Sequence, residues 1–217
     1  YQFTQLDDAY VRKYFTVVGL RLKKDLEGLP TIQDEDIKDK KNIACTRSFD
    51  YMLTRREDLS ERVATFVATA AVKLRRQHSN CQLIHVFLYS NRHRGDLEQH
   101  NAGLTIKLPY PTSSTFELNR SAQIALKVIF KDGISYKKAG VILMGISKDE
   151  SKQLSMFYHE NPKHKILMAV IDKMNHKMGE MIKFGGMDLK RKWKMHQDYL
   201  SPNFTTNLKD IIKVKSS

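Results

Sequence analysis

Apolar residues recur along this 217-residue chain at two spacings, one typical of helices and one typical of strands. From Asp7 to Glu27 they fall at steps of three and four, which predicts a helix with one apolar face. That face consists of Val11, Phe15, Val18, Leu22 and Leu26. Gly28 and Pro30 end the helix, and the charged segment 31–42 predicts a linker. We therefore place a domain boundary near residue 42.

Four strands are predicted beyond this boundary. Short runs of β-favouring residues cover Ile43–Phe49, Cys81–Tyr89, Gly103–Tyr110 and Tyr136–Ile146. In the second strand Ile84, Val86 and Leu88 alternate with His85, Phe87 and Tyr89, and in the third Leu104, Ile106 and Leu108 alternate with Thr105 and Lys107. Pro109 and Pro111 close the third strand. Each sheet face therefore has its own composition.

Two helices are predicted between these strands. The pairs Thr54/Glu57 and Ser114/Glu117 have the spacing of capping boxes at helix starts. The inward-facing residues are Leu59, Val63, Phe66, Val67, Ala70, Ala71 and Leu74 in the first helix, and Leu118, Ala122, Ala125, Leu126 and Ile129 in the second. The order β-α-β-β-α-β is the split βαβ arrangement, an α+β fold with both helices on one face of a four-stranded sheet. The other face is left to solvent or a ligand.

A small α+β extension is predicted over residues 161–217. Asn161 and Pro162 form an N-cap followed by proline at the first helical position, and Gly179 ends the helix. Its predicted inward face consists of Ile166, Leu167, Val170, Ile171, Met174 and Met178. Short strand-like pieces follow from Met181 to Ser217.

Charge gives the first indication of a partner. Lys and Arg number 37 against 24 Asp and Glu, a net charge of +13, which favours a polyanionic partner. A sheet can contact a DNA backbone through cations and hydroxyls without reading bases. The candidate DNA-binding residues on the open sheet face are Thr46, Arg47, Ser48, Lys107, Tyr136, Lys137 and Lys138, with Arg92 and Arg94 in the loop between the second and third strands.

The sequence contains no constellation suited to catalysis. Asp34, Glu35 and Asp36 cluster in the linker, where nothing fixes their geometry, and the run 147–150 (SKDE) follows the last strand without a partner carboxylate. The sequence has no phosphate-binding loop, no nucleophile elbow and no zinc motif. We therefore expect no catalytic residue and no metal site, and we expect Cys45 and Cys81 to be reduced, buried thiols.

A short apolar motif lies in the charged tail 148–160. Gln153, Leu154, Met156 and Phe157 belong to the run QLSMF. The amide of such a run can orient an extended peptide while its apolar side chains fill a groove on a partner. Alternatively, these side chains fold back onto their own domain.

These features, in this order, resemble the C-terminal half of bacterial UmuC-like proteins, the Y-family lesion-bypass polymerases. VRKYFTVVGLRLKKDLEGLP is similar to the end of the family's thumb, and IACTRSF and YKKAGVILMGI to its little-finger domain. QLSMF resembles the family's sliding-clamp motif, with Met156 where Leu is usual. LMAVIDKMN and WKMHQDYLSPNFTTNLKDIIKVK resemble the UmuC-type C-terminal extension.

The resemblance implies four segments: the end of the thumb helix and linker (1–42), the little finger (43–147), the tail with the clamp motif (148–160) and the extension (161–217). It implies a polymerase of the SOS response whose catalytic carboxylates and two Mg²⁺ ions lie before Tyr1. The sequence lacks an initiator Met, so we expect that the chain is truncated at Tyr1. Because the Mg²⁺ ions would belong to the missing part, we expect no cofactor in the present segment.

The resemblance also implies partners. Primer-template DNA would lie on the open sheet face, and the β sliding clamp would bind QLSMF. A UmuD-type dimer and a RecA filament would be associated with the extension. The sequence has no signal peptide and no apolar run near the ~20 residues of a membrane span, so we expect a cytoplasmic protein.

Two other functions remain open at this point. An RRM-like RNA-binding module has the same element order, although GLTIKLPY lacks the RNP1 pattern and places no aromatic residue on its exposed face. A protein-docking module would show no affinity for nucleic acid at low salt.

Overall fold

The computed structural model describes residues 1–31, 39–149, 161–189 and 199–211. The chain divides into two compact units, Tyr1–Asp39 and Lys40–Ser217. The division falls within the predicted linker 31–42. The acidic cluster 34–36 and the QLSMF motif, residues 153–157, lie outside the described residues.

The first unit contains a helix that doubles back on itself. Helix α1, Asp8–Leu26, begins at Asp7, whose carboxylate accepts hydrogen bonds from the backbone N–H groups of Ala9 and Tyr10. It is broken at Thr16, where φ is 63° and ψ is −171°.

The break in α1 brings Lys23 Nζ to 2.6 Å from Asp8 Oδ1. A straight helix would separate two residues 15 positions apart by about 22 Å along its axis. The prediction of one continuous helix is therefore wrong. The break at Thr16 also divides the predicted apolar face, of which Val11 is buried whereas Phe15, Val18, Leu22 and Leu26 are exposed.

The second unit is built on a four-stranded antiparallel sheet. Its strands are β1 (Ile43–Leu53), β2 (Ser79–Ser90), β3 (Asn101–Thr112) and β4 (Tyr136–Lys148), in the spatial order β1-β4-β2-β3. Helix α2 (Arg56–Arg76) connects β1 to β2, and helix α3 (Thr115–Ile129) connects β3 to β4. The predicted α+β class and β-α-β-β-α-β order of the little finger are confirmed.

The hydrophobic core lies between the sheet and these two helices. Every inward-facing residue predicted for α2 and α3 is buried. On the sheet, Ile84, Val86 and Leu88 of β2 are fully buried, and Val141 and Leu143 of β4 pack beside them. The periodicity argument is therefore correct for the inward faces of α2 and α3 and for β2.

The starts of both helices differ from the prediction. The N-cap of α2 is Arg55 rather than Thr54, and neither Arg55 nor Ser114, the N-cap of α3, makes a side-chain cap bond among the described residues. Ser114 Oγ instead lies 3.2 Å from Nδ1 of His164. The Ser114 hydroxyl thus contacts a residue of α4 instead of capping the backbone of α3.

Strand β3 continues through Pro109 and Pro111, so the prediction that these prolines close it is wrong. A proline cannot donate to a neighbouring strand, but β3 lies at the edge of the sheet, where one side needs no donor. The long third strand is thus compatible with both prolines.

The extension begins with helix α4, Pro162–Met178, as predicted. The Asn161 side chain accepts a hydrogen bond from the backbone N–H of Lys163 at 3.0 Å, and Gly179 adopts a positive φ of 67° after the helix. The predicted strand-like pieces do not form in 181–189 or 199–211, where the described backbone has turns and a 3₁₀ helix, Leu208–Asp210.

Helix α4 packs on the outer side of the α2–α3 layer. Arg75 of α2 forms an ion pair with Asp172, and Phe116 of α3 contacts the rings of His164 and Phe184. Helix α4 therefore adds a third layer, on the side of α2 and α3 away from the sheet.

The predicted inward face of α4 is largely wrong. Ile171 is buried together with Met168, whereas the other five predicted residues are exposed. The exposed residues are Ile166, Leu167, Val170, Met174 and Met178. None of the described helices is both long and apolar enough to cross a membrane.

Candidate nucleic-acid interface

The sheet face opposite α2 and α3 is defined by the strand register, because alternate residues of a strand point to opposite faces. We call it the bare face. Its paired positions are Ala44, Thr46 and Ser48 of β1, Lys138, Gly140, Ile142 and Met144 of β4, Leu83, His85, Phe87 and Tyr89 of β2, and Asn101, Gly103, Thr105 and Lys107 of β3. At these described positions there is no Asp or Glu.

Four of the predicted DNA-binding residues share the bare face. Ser48 pairs with Lys138 at one end of the sheet, and Thr46 lies in the next row. Lys107 pairs with Leu83 near the other end. The row of Lys138 contains Tyr89 and the row of Lys107 contains Leu83, so the two rows are six residue steps, or about 20 Å, apart along β2. The cations therefore bracket a face of mixed hydroxyl, aromatic and aliphatic groups.

Arg47 does not lie on the bare face. It pairs with the buried Ala139, in register with Cys45 and Phe49, which belong to the helix-covered side. Its side chain is exposed because β1 is an edge strand. The expectation that Arg47 faces the same way as its neighbours Thr46 and Ser48 is wrong.

Tyr136 is also wrongly assigned to the open side, because it is fully buried in the core. Its hydroxyl accepts a hydrogen bond from the backbone N–H of Lys131 at 3.0 Å. A register shift between Tyr89 and Ser90 turns this end of β4. Lys137, at the same irregularity, donates from Nζ to the backbone carbonyl of Asp50 at 3.1 Å.

The loop 91–100 carries the two predicted arginines. Arg94 donates to both carboxylate oxygens of Asp96 at 2.8 and 2.6 Å, and this pairing lowers the pKa of Asp96 to about 2. Arg92 is exposed. The loop connects β2 to β3 at the end of the sheet where Tyr89, Asn101 and Lys138 share a row. Arg92 follows Tyr89 by three positions and therefore belongs to the same end of the sheet as Lys138.

A run of rings along β2 is the feature that the sequence analysis missed. The ring centroids of His85 and Phe87 are 6.0 Å apart, and those of Phe87 and Tyr89 are 4.7 Å apart with a 33° tilt. His85 Nδ1 also lies 2.9 Å from Thr105 Oγ1. The signal was present in the alternation of these rings with Ile84, Val86 and Leu88.

The described residues offer no obvious redox or metal chemistry. Within them, no group of three or more His, Cys, Asp or Glu is placed to hold a metal ion. Both cysteines are free thiols, and burial raises the pKa of Cys81 to about 12 and also raises that of Cys45. What the geometry offers is a basic, hydroxyl-bearing surface suited to a polyanion.

The chain matches two family models. The impB/mucB/samB family C-terminal domain matches residues 40–156, and a domain of unknown function (DUF4113) matches residues 165–214. The first match covers the whole sheet with α2 and α3, and the second covers most of the extension.

Curated relatives align over nearly the whole chain. Protein UmuC of Salmonella typhimurium is 32% identical over 209 residues, which are 94% of this chain and 50% of UmuC. Protein MucB of Escherichia coli is 32% identical over 94% of this chain and 49% of its own length. Protein SamB of Salmonella typhimurium is 31% identical over 99% of this chain and 51% of its own.

The chain thus spans about half the length of the curated relatives it matches. Among solved structures, the insertion ternary complex of Dbh DNA polymerase is a distant likeness, with 14% identity and a TM-score of 0.41 over 68% of this chain and 40% of its own. Because the family model covers more than half of the residues, the chain belongs to the impB/mucB/samB family of UmuC-like proteins and contains that family's C-terminal domain.

Proposed function

We propose that this chain is the non-catalytic C-terminal region of an error-prone, lesion-bypass DNA polymerase. In this proposal the bare face holds primer-template DNA, and the catalytic carboxylates with their Mg²⁺ ions belong to the half of the relatives that the chain does not span. Family membership supports the activity of the whole protein, and the geometry of the sheet supports the role of this part.

The observation that carries the DNA-binding role is the composition and accessibility of the bare face. Its described paired positions combine lysines with hydroxyls and lack acidic groups. Thr46, Ser48, Tyr89 and Lys107 are exposed, and α4 is held through Arg75 of α2, Phe116 of α3 and Asp149, none of which is a position of the bare face. A polyanion therefore meets no like charge at these positions and no described layer of the extension.

The test is the salt dependence of binding to a primer-template duplex. Each phosphate neutralised contributes roughly 0.9 to the slope of log affinity against log salt. With three contacts, from Lys107, Lys138 and Arg92, affinity should fall about 40-fold between 50 and 200 mM salt. Binding that ignores salt, or that strongly prefers one sequence, would contradict the proposal.

Single substitutions sharpen this test. Lys138→Gln and Lys107→Gln should each lower the slope by about 0.9, whatever the duplex sequence. The matched control is Lys173→Gln, an exposed lysine of α4 on the opposite side, which should leave the slope unchanged. Equal effects from all three variants would point to net charge rather than to the bare face.

Docking to the β sliding clamp is the second part of the proposal. It is supported by the QLSMF pattern, in which a glutamine precedes three apolar side chains in a charged tail. The double variant Leu154→Ala/Phe157→Ala should abolish clamp binding and leave duplex binding intact, with Ser155→Ala as the control. Normal clamp binding by the double variant would refute this assignment.

Docking of partner proteins on the extension is supported by the outer side of α4. Ile166, Val170 and Met174 are 69%, 49% and 41% exposed, and lysines flank them. A contiguous apolar patch on a folded surface is typical of an interaction site. A UmuD-type dimer and a RecA filament are the partners proposed for it.

Pull-down with each partner tests the α4 surface. Val170→Ser/Met174→Ser should weaken capture while DNA binding stays normal. Retention of both partners by this variant would remove α4 from the proposal.

The alternative of an RRM-like RNA-binding module has less support. On the bare face, the described positions of β3 are Asn101, Gly103, Thr105 and Lys107, with no aromatic residue among them. An RRM stacks bases on the aromatic residues of its RNP motifs, and β3 supplies none of these, although His85, Phe87 and Tyr89 of β2 lie on the same face. A preference for single-stranded RNA over duplex DNA would revive this alternative.

A further inference from the structure

The rings of β2 form a graded stack on the bare face. Phe87 is 6% exposed although α2 and α3 pack on the opposite side of the sheet, whereas Tyr89, at a centroid distance of 4.7 Å, is 41% exposed. Tyr89 is therefore the outer member of the stack and offers ring surface to a ligand.

Two glycines provide the space that the inner rings occupy. A Cβ on Gly140 would lie 2.5 Å from Phe87 Cζ and 2.5 Å from Thr46 Cγ2. A Cβ on Gly103 would lie 2.9 Å from His85 Cε1. Phe87 is thus fixed by close packing against the backbone, and it gives Tyr89 a rigid support. A supported ring loses little further freedom when a ligand stacks on it.

Tyr89 also stands beside charged and polar groups. The row reads Ser48, Lys138, Tyr89, Asn101, so Tyr89 has a lysine directly opposite on β4 and an amide opposite on β3. Cβ atoms of such directly opposed residues are about 5 Å apart. An aromatic face next to a cation is the combination with which proteins bind single-stranded nucleic acid, since one group takes a base and the other the backbone.

We propose that Tyr89 stacks on an unpaired base of the bound DNA, so that the bare face distinguishes a junction with a single strand from plain duplex. The inference rests on the proposed DNA-binding role of the same face. Bases inside a duplex already stack on their neighbours, so an unpaired base is the partner that a protein ring can accept without breaking pairs.

The experiment compares three ligands with the 217-residue chain by fluorescence anisotropy. They are a blunt duplex, the same duplex with a single-stranded extension, and the same duplex with an abasic extension of equal length. The abasic extension supplies the same phosphates without bases, so it separates stacking from charge. Bases in the extension should raise affinity over the abasic form by roughly 5- to 150-fold per stacked base.

Three variants assign this gain to the ring. Tyr89→Ala should abolish the difference between the normal and abasic extensions, and Tyr89→Phe should retain it. Tyr51→Ala is the matched control, since Tyr51 is 52% exposed on the same sheet but hydrogen bonds to Arg62 of α2. It should retain the difference too.

The possible results separate this inference from the proposal it rests on. Equal binding of the normal and abasic extensions overturns the stacking role while leaving duplex binding in place. An equal loss on all three ligands in Tyr89→Ala also overturns it, because the ring would then serve the duplex rather than an unpaired base. Failure of every ligand to bind at low salt overturns the DNA-binding role itself.

Discussion

Arg75 links α4 to both helices of the layer beneath it. Arg75 Nε and Nη2 donate to the two carboxylate oxygens of Asp172 at 2.6 and 2.8 Å. Arg75 Nη1 donates to the Ser113 carbonyl at 2.7 Å and to Thr115 Oγ1 at 3.1 Å. One guanidinium thus joins α2, the start of α3 and α4. We predict that Arg75→Met makes α4 open more often without unfolding the sheet.

The magnitude follows from the burial of the pair. The side chains of Arg75 and Asp172 are 13% and 24% exposed, so the pair is neither on the surface nor fully buried. Exposed pairs contribute about 0–1 kcal/mol, whereas removing one partner of a buried pair costs about 3–5 kcal/mol. We expect a cost of about 2–3 kcal/mol for this intermediate case, which is roughly a 30- to 150-fold change in an equilibrium constant.

Native-state hydrogen exchange measures this change locally. Amides of α4 should exchange roughly 30- to 150-fold faster in Arg75→Met, while amides of β2 and β4 should keep their protection. Asp172→Asn, which removes the charge but keeps the shape, should act in the same direction and couple to Arg75→Met in a double-mutant cycle. Unchanged α4 amides, or an equal loss of protection in the sheet, would refute the reasoning.

A second ion pair on α4 supplies the control. Lys165 pairs with Asp149, and their side chains are 71% and 33% exposed. Screening by water should hold the cost of Lys165→Met to about 0–1 kcal/mol. If both variants opened α4 equally, burial would not be what distinguishes the two pairs.

Two further predictions concern the sheet. Gly140→Ala should destabilise the second unit by about 1–3 kcal/mol in denaturant unfolding, because the added Cβ collides with the Phe87 ring, whereas alanine at the exposed Gly95, where nothing lies within 4 Å of the new atom, should have little effect. Burial raises the pKa of Cys81 from 9.0 to about 12, so the folded state holds this proton more tightly than the unfolded chain. The contribution of the protonated Cys81 thiol to the free energy of unfolding should be complete below pH 9 and lost progressively as the pH rises towards 12. If a Cys81→Ala variant showed the same decline in stability over this range, ionisation of Cys81 would not be its cause.

The sequence predicted the core of the second unit because burial there is periodic. Each of α2, α3 and β2 buries one side against a single neighbouring layer, so its buried residues recur with the period of a helix or a strand. Applied to β1, the same alternation would have placed Arg47 on the side opposite Thr46 and Ser48, so that error could have been avoided from the sequence. Tyr136 is different, since its burial depends on a register shift that no local pattern reveals.

The remaining differences arise from tertiary contacts. Ser114 has the spacing of a capping residue, but its hydroxyl contacts His164, fifty positions away in sequence. The apolar face of α4 was predicted correctly as a pattern, yet the helix attaches through Asp172 and turns most of that face outward. A hydrophobic pattern identifies what can be buried, but it does not say which neighbour will bury it.

The three-layer order has a consequence for how ligands influence one another. Sheet–helix and helix–helix layers are each about 10 Å thick, so the bare face and the outer side of α4 are separated by roughly 20 Å. This exceeds the Debye length of about 8 Å at physiological ionic strength, so phosphates on one side exert little force on lysines of the other. Under the proposed function, occupancy of the two surfaces should therefore be thermodynamically independent, so DNA bound on the bare face would not affect the exchange of protein partners on α4.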